Sequence, residues 1–184
     1  VSDIVATISG ETSNSYVTLA EATEYFAGRL HASAWESAST ADREKALVTA
    51  CRHVESCRLQ VTRRVVGELL SPVVPTQALA FPRYRDVDAT SAYIIPQPVK
   101  RAQCEEALAL LAFGAEQQRR SALQAGGVSS FQVDGLSESY GEGAGSSPLI
   151  SGEARKLMAP FIARGGVIAT SDNPLGEFTP GSGR

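Results

Sequence analysis

Histidine is nearly missing from this chain: its 184 residues include only His31 and His53. Metal and acid–base centres draw on dense groups of His, Cys, Asp and Glu. Neither histidine has such neighbours at ligand spacing. No metal, no catalytic group and no cofactor is therefore expected. Cysteine is scarce too. Cys51, Cys57 and Cys104 are odd in number and lack paired spacing, so they do not form a disulfide framework. Cys51 and Cys57 lie six apart on a predicted helix and point to different sides. Buried free thiols in a reducing cytosol are the expectation. Long apolar runs are lacking as well. The longest, Ala107–Phe113, falls far short of the roughly 20 residues that span a bilayer. No basic stretch followed by an apolar one opens the chain, so neither a signal peptide nor a membrane partner is expected.

A basic excess is also absent. Lys and Arg total 17 against 20 Asp and Glu, a net charge of −3, whereas free-standing nucleic-acid binders are generally basic. Gly141-Glu-Gly-Ala-Gly145 lacks the lysine and the strand-to-helix setting of a phosphate loop. Glu105 and Glu106, neighbours on a helix, splay about 100° apart and read as solvated surface rather than paired catalytic carboxylates. The chain does not read as an enzyme.

Among the bases, arginine dominates lysine 14 to 3, which suits interfaces between proteins. Arg58, Arg63 and Arg64 cluster, and Arg83 and Arg85 flank Tyr84, a pattern that can also grip phosphates and stack bases. Residues 1–42 hold six acids against Arg29 alone, and residues 43–64 hold six bases against two acids. Opposite poles suit head-to-tail contact between copies.

Apolar residues make up 43% of the chain, enough for a core in a single domain. Twelve of the 16 glycines lie between Gly126 and Gly183, so a compact body precedes a looser third. Asp3–Ser9 reads as a short strand or extended arm. Thr18 and Glu21 have capping-box spacing and open a helix to about Leu30. Trp35 follows in a connection. Ser39 or Thr40 caps a second helix, about Ala41–Cys57. Prolines 72, 75 and 82 keep residues 58–95 extended. Pro98 opens a third helix to about Leu123, whose apolar centre predicts a post buried on several sides. Asp134-Gly135 between alternating segments predicts a β-hairpin. Ser151 caps a short fourth helix, about Gly152–Ala163. The expected fold is mainly α: a small helical bundle with a β-hairpin and extended N- and C-terminal arms. Its parts are a body over 1–127, a hairpin and Gly/Ser linker over 128–147, and a short helix with an arm over 148–184.

Four pieces occur in order: Ser15-Tyr-Val-Thr-Leu-Ala-Glu-Ala22 before Tyr25-Phe26, Asp42-Arg-Glu-Lys-Ala-Leu47 with Ala50, Gln77-Ala-Leu-Ala-Phe-Pro-Arg83, and Ile95-Pro96 before Val99-Lys100 and Ala102. Together they resemble the head–tail adaptor, or connector, family of tailed bacteriophages. Some members of that family carry the label DnaT-like single-stranded DNA-binding protein. The resemblance runs from about Ser15 to Tyr140. Its strongest part is Gln77, Leu79, Phe81, Pro82 and Arg83, with Phe81 where tryptophan is more frequent.

The resemblance implies a structural virion protein of the neck, made in the host cytoplasm. It implies a homo-oligomeric ring, usually twelve-fold, bound to the portal protein above and to a stopper, adaptor or tail protein below. DNA would meet it only by passing through the lumen. The family-motif residues, with Ile95 and Pro96, are expected to pack across the helices or seal a seam between subunits. Phe131, Val133, Leu136 and Tyr140 are expected to form a hairpin interface. Val167, Ile168, Leu175 and Phe178 are expected to form an arm reaching the portal. The alternative is a single-stranded DNA-binding accessory protein of replication.

Overall fold

The computed structural model describes residues 3–60, 70–125, 130–133, 136–139 and 148–163. Five helices dominate: α1 Leu19–Ala27, α2 Ser33–Ser37, α3 Thr40–Glu55, α4 Gln97–Ala125 and α5 Gly152–Met158. The fold is mainly α. Strands β1 Ser130–Val133 and β2 Leu136–Ser139 pair antiparallel with Val133 opposite Leu136. Of Phe131, Val133 and Leu136 only the backbone is described. Asp134-Gly135 and Tyr140 lie outside the described residues, as do Val167, Ile168, Leu175 and Phe178.

Local chemistry explains where the helices begin and end. The Thr18 hydroxyl accepts from the Glu21 amide at 3.2 Å, and the Thr18 amide donates to the Glu21 carboxylate at 2.8 Å. This reciprocal cap satisfies two amides that the helix itself leaves free. Helix α1 stops at Gly28, short of Leu30, and Leu30 is left 80% exposed. His31 then takes φ 61° and turns the chain into α2, a one-turn helix that carries Trp35 where only a connection was expected. The Ser39 and Ser151 hydroxyls accept from the Asp42 and Ala154 amides at the starts of α3 and α5. Helix α5 tightens into a 3-10 turn over Ala159–Phe161, where Pro160 has no amide to donate.

Helices α3 and α4 lie side by side and contribute to both halves of the core. One half gathers Trp35 and Phe26 with Leu47, Ala50, Cys104 and Leu108. The other gathers Tyr16 and Phe81 with Val54, Val99, Leu149, Met158 and Phe161. Buried Gln103 ties the two. Its amide nitrogen donates to Ser15 Oγ at 2.7 Å and to the Leu47 carbonyl at 2.9 Å, while its oxygen accepts from the Tyr16 amide at 2.9 Å. Such saturation is what a polar group needs in a core.

Four expectations change. The N-terminal segment is not a free arm. It doubles back, with the Asn14 amide donating to the Val5 carbonyl at 2.9 Å and the Ala78 amide to the Gly10 carbonyl at 3.1 Å. A Cβ on Gly10 would sit 2.5 Å from Ser13 Oγ, so the tight turn needs glycine. The all-round burial expected of Ala107–Phe113 ends at Leu108. Ala112 is exposed and Phe113 is 64% exposed, because the short helices α1 and α2 do not reach that far along α4. Glu105 and Glu106 are buried rather than solvated, since each has found donors on other elements. Finally, residues 148–163 are not a separate arm: Leu149, Ala154, Met158 and Phe161 complete the second half of the core.

Candidate functional site

The Gln77–Arg83 segment turns inward. Gln77 is its internal pin. The Gln77 side-chain nitrogen donates to the Leu79 carbonyl at 2.7 Å and the Pro82 carbonyl at 3.1 Å, and its oxygen accepts from the Val74 amide at 3.1 Å. The Phe81–Pro82 peptide is cis. Phe81 meets Tyr16 and Phe161 edge-on, at centroid distances of 5.8 and 5.4 Å. Leu79 and Ile95 pack into the same core half, and Pro96 is half-buried beside them. The Tyr16 hydroxyl donates to Glu55 and accepts from the Phe81 amide, while the Ala80 amide donates to Glu55 at 3.1 Å. The structure thus brings the motif residues together against the C-terminal end of α3.

Arg83 ends this segment and is fully buried. Its backbone amide and Nε donate to Asp86 Oδ2 at 2.9 and 3.1 Å, and Nη1 donates to the Gln60 carbonyl at 3.2 Å. The guanidinium lies 4.2 Å from the Phe81 ring centroid and 5.3 Å from that of Phe161. Burial alone would lower its pKa, and Asp86 opposes that. Arg83 therefore cannot reach a phosphate. Of the Arg–Tyr–Arg group, only Tyr84 and Arg85 remain at the surface. Arg58 is exposed, and Arg63 and Arg64 lie outside the described residues.

Beyond the motif, the chain makes a projecting loop that sequence reasoning missed. The Asp88 amide donates to the Ala92 carbonyl and the Ile94 amide to the Asp86 carbonyl, both at 2.9 Å. The Asp88 carboxylate is consumed by the amides of Thr90 and Ala92 and by the Thr90 hydroxyl. This closes the loop and leaves Val87, Tyr93 and Ile94 exposed on it. Tyr84 and Tyr93 meet edge-on at 6.2 Å. The Asp88-x-Thr90 turn between apolar residues was the available signal.

The carboxylates of α4 are structural. Glu105 accepts from Arg29 Nη2 at 2.8 Å and from the Tyr25 hydroxyl at 2.6 Å. Burial raises its pKa, but Arg29 and Tyr25 outweigh this and hold it below the ordinary value. Glu106 pairs with His53 Nδ1 at 2.7 Å and accepts from the Ile150 and Ser151 amides at 2.9 Å each. A carboxylate so surrounded is spent on holding three segments together. Burial pushes the Cys57 thiol up to about 11 and Cys104 up to about 12, with the nearby carboxylates of Glu106 and Glu105 adding to it. Such thiols are poor nucleophiles. Among the described residues no group of three or more His, Cys, Asp or Glu could hold a metal ion.

Two open clefts flank α1. One, of about 360 Å³, is lined by Glu24, Gln97 and Arg101 among others and is crossed by the 2.6 Å Lys100–Glu21 ion pair. The other, of about 290 Å³, lies where α1, α2 and α3 meet, with Phe26, Ala27 and Trp35 in its wall and Arg43 and Glu36 beside them. The Arg43 guanidinium stands 5.5 Å over the Trp35 ring, and its nitrogens donate to the Trp35 and Glu36 carbonyls at 2.8 Å each. The Trp35 indole N–H has no acceptor among the described residues.

No curated protein and no solved structure matches the chain. A family profile does, over residues 4–171, which takes in every helix and the loop just described. The chain belongs to the family described as "Putative DnaT-like ssDNA binding protein".

Proposed function

We propose that this protein is a non-enzymatic assembly protein of a tailed bacteriophage: a ring-forming adaptor in the neck, between the portal and the tail-side proteins, with DNA passing through its lumen. The observation that carries this reading is helix α4. Its 29 residues extend roughly 43 Å, yet full burial ends at Leu108, Leu110 and Leu111 are only partly covered, and Phe113 stands in solvent. A long helix whose apolar stretch is incompletely covered leaves room for a neighbour. The arginines fit the same reading. Arg29 and Arg83 are spent on internal carboxylates, so a net charge of −3 leaves little to hold DNA that must slide past.

The test is electron microscopy of purified particles and of the isolated protein. Rings of this chain between portal and tail support the adaptor. Its absence from intact particles refutes it. Phe113→Ser should leave the monomer folded and weaken ring formation.

A second reading, single-stranded DNA binding, has the family description and the Tyr84–Arg85–Tyr93 group in its favour. An aromatic pair beside an exposed arginine can stack bases. Oligonucleotide affinity that falls steeply with salt supports it. No affinity at low salt rejects it.

A further inference from the structure

We infer that in the assembled ring residues 148–163 of each subunit complete the core of its neighbour. This rests on the ring reading above and names the segment that would lock the ring. The segment is fixed to the body by groups remote from it in sequence. Leu149, Ala154, Met158 and Phe161 share one buried cluster with Val54, Phe81 and Val99. The Ile150 and Ser151 amides donate to Glu106. The Gln60 amide donates to the Phe161 carbonyl at 2.8 Å, and the Ala163 amide to the Arg58 carbonyl at 2.7 Å. None of these contacts depends on which copy supplies the segment. A second copy makes them equally well, so exchange sacrifices no contact.

Chain length argues for the exchange. Helix α4 carries the chain to Ala125, 19 residues past Glu106, a climb of roughly 28 Å. Ser130 and Ser139 are paired, so the hairpin begins and ends at one place and covers little distance. The return to Leu149 falls to residues 126–129 and 140–148. Fully drawn out, those residues span at most about 45 Å, so reaching their own groove takes nearly two-thirds of that length. The point of departure also lies outside the body. Past Leu108, α4 runs on with Phe113, Ala115, Glu116, Gln118 and Arg119 exposed. In the ring this stretch lies against a neighbour, so the chain turns back from a point beside that neighbour. A compact domain of this length has a radius of gyration of about 16 Å, which puts the groove of a touching neighbour within the same reach. The outer end of α4 and the groove are different faces, and two such faces joined head to tail close rings. In the isolated chain the segment fills its own groove. Ring closure passes it to the next subunit.

The experiment uses the full chain and two variants, Arg58→Cys and Ala163→Cys. These positions stand opposite each other beside the Leu59–Ile162 bridge, within the span of a disulfide. Arg58 is exposed and Ala163 half-buried, so both variants should fold, which circular dichroism checks. The three native thiols are buried and stay out of the reaction. The two variants are co-expressed, assembled, mildly oxidised, alkylated and run on a denaturing gel without reductant. Exchange should link up to about half of the chains into dimers that neither variant gives alone, since neighbours mix at random around the ring. A chain carrying both cysteines should give a covalent ladder. Leu59→Cys and Ile162→Cys repeat the test at the bridge itself. Rings seen by electron microscopy without such dimers, with the double variant closed inside single chains, overturn this inference while the ring reading stands. A wild-type chain that stays monomeric, both free and with portal, overturns both.

Discussion

Removing the Glu106 side chain should detach residues 148–163 from the bundle. Glu106 joins three parts of the fold: His53 on α3, its own helix α4, and the Ile150 and Ser151 amides before α5. It is fully buried. Alanine leaves a pocket, an unpaired imidazole and two amides without their acceptor. Each hydrogen bond to a charged group is worth about 1.5–3 kcal/mol, but the three are not additive, since water replaces part of the loss. Leaving those donors without their acceptor costs about 1–3 kcal/mol each before relaxation, so about 3–5 kcal/mol is the expected total for Glu106→Ala. Against a typical stability of about 5–15 kcal/mol this is severe. Glu106→Gln keeps the volume and one acceptor but turns an NH2 donor toward other donors, so about 1–3 kcal/mol is expected. Urea unfolding followed by circular dichroism gives the totals. Hydrogen exchange gives the location: the Ile150, Ser151 and Ala154 amides should lose protection before those of α3. If Glu106→Ala stays within about 1 kcal/mol of the wild type and those amides remain protected, the clamp does not exist.

Acid should act through Glu105. Its folded pKa lies below the ordinary 4.5, so its contribution is complete above about that pH and is lost as pH falls through the folded value. The melting-temperature gap between wild type and Arg29→Ala should therefore be widest near neutrality and narrow below pH 4.5. A constant gap contradicts this. Arg83→Ala leaves buried Asp86 with only Arg85, at 3.8 Å, as a cationic partner and should cost about 3 kcal/mol in a denaturant titration. An unchanged midpoint would show the pair to be dispensable. The three cysteines should resist a thiol alkylator in the native chain and react on unfolding, because burial removes access and raises their pKa values. Rapid labelling of native Cys57 would show that the chain opens just past α3.

Helix placement was legible because it depends on neighbours in the chain. The Thr18–Glu21 box, the Ser39 and Ser151 caps and Pro98 each act within a few residues, and the helices begin where these stand. The one-turn helix under Trp35 was not legible. It has no side-chain cap and exists because the indole is packed against Phe26, at a centroid distance of 4.5 Å. Glu105 and Glu106 show the same limit for charge. Adjacent carboxylates on a helix read as surface until Arg29, Tyr25 and His53, distant in the chain, arrive to pair with them. The candidate surfaces followed suit. The Gln77–Arg83 pattern was visible as a motif, but its inward turn was not, and the exposed groups proved to be Val87, Tyr93 and Ile94 beyond it.

The sequence by itself determined a mainly α chain, the starts of its main helices, the absence of disulfide pairing and the shortage of free basic charge, since these depend on residue type and short-range hydrogen bonding. Only the tertiary structure decided which charges are spent inside and which apolar groups are left outside. Burial is a property of what lies opposite a side chain, and no local pattern contains it: Arg83 and Arg85 are two residues apart, and one is in the core while the other is in solvent.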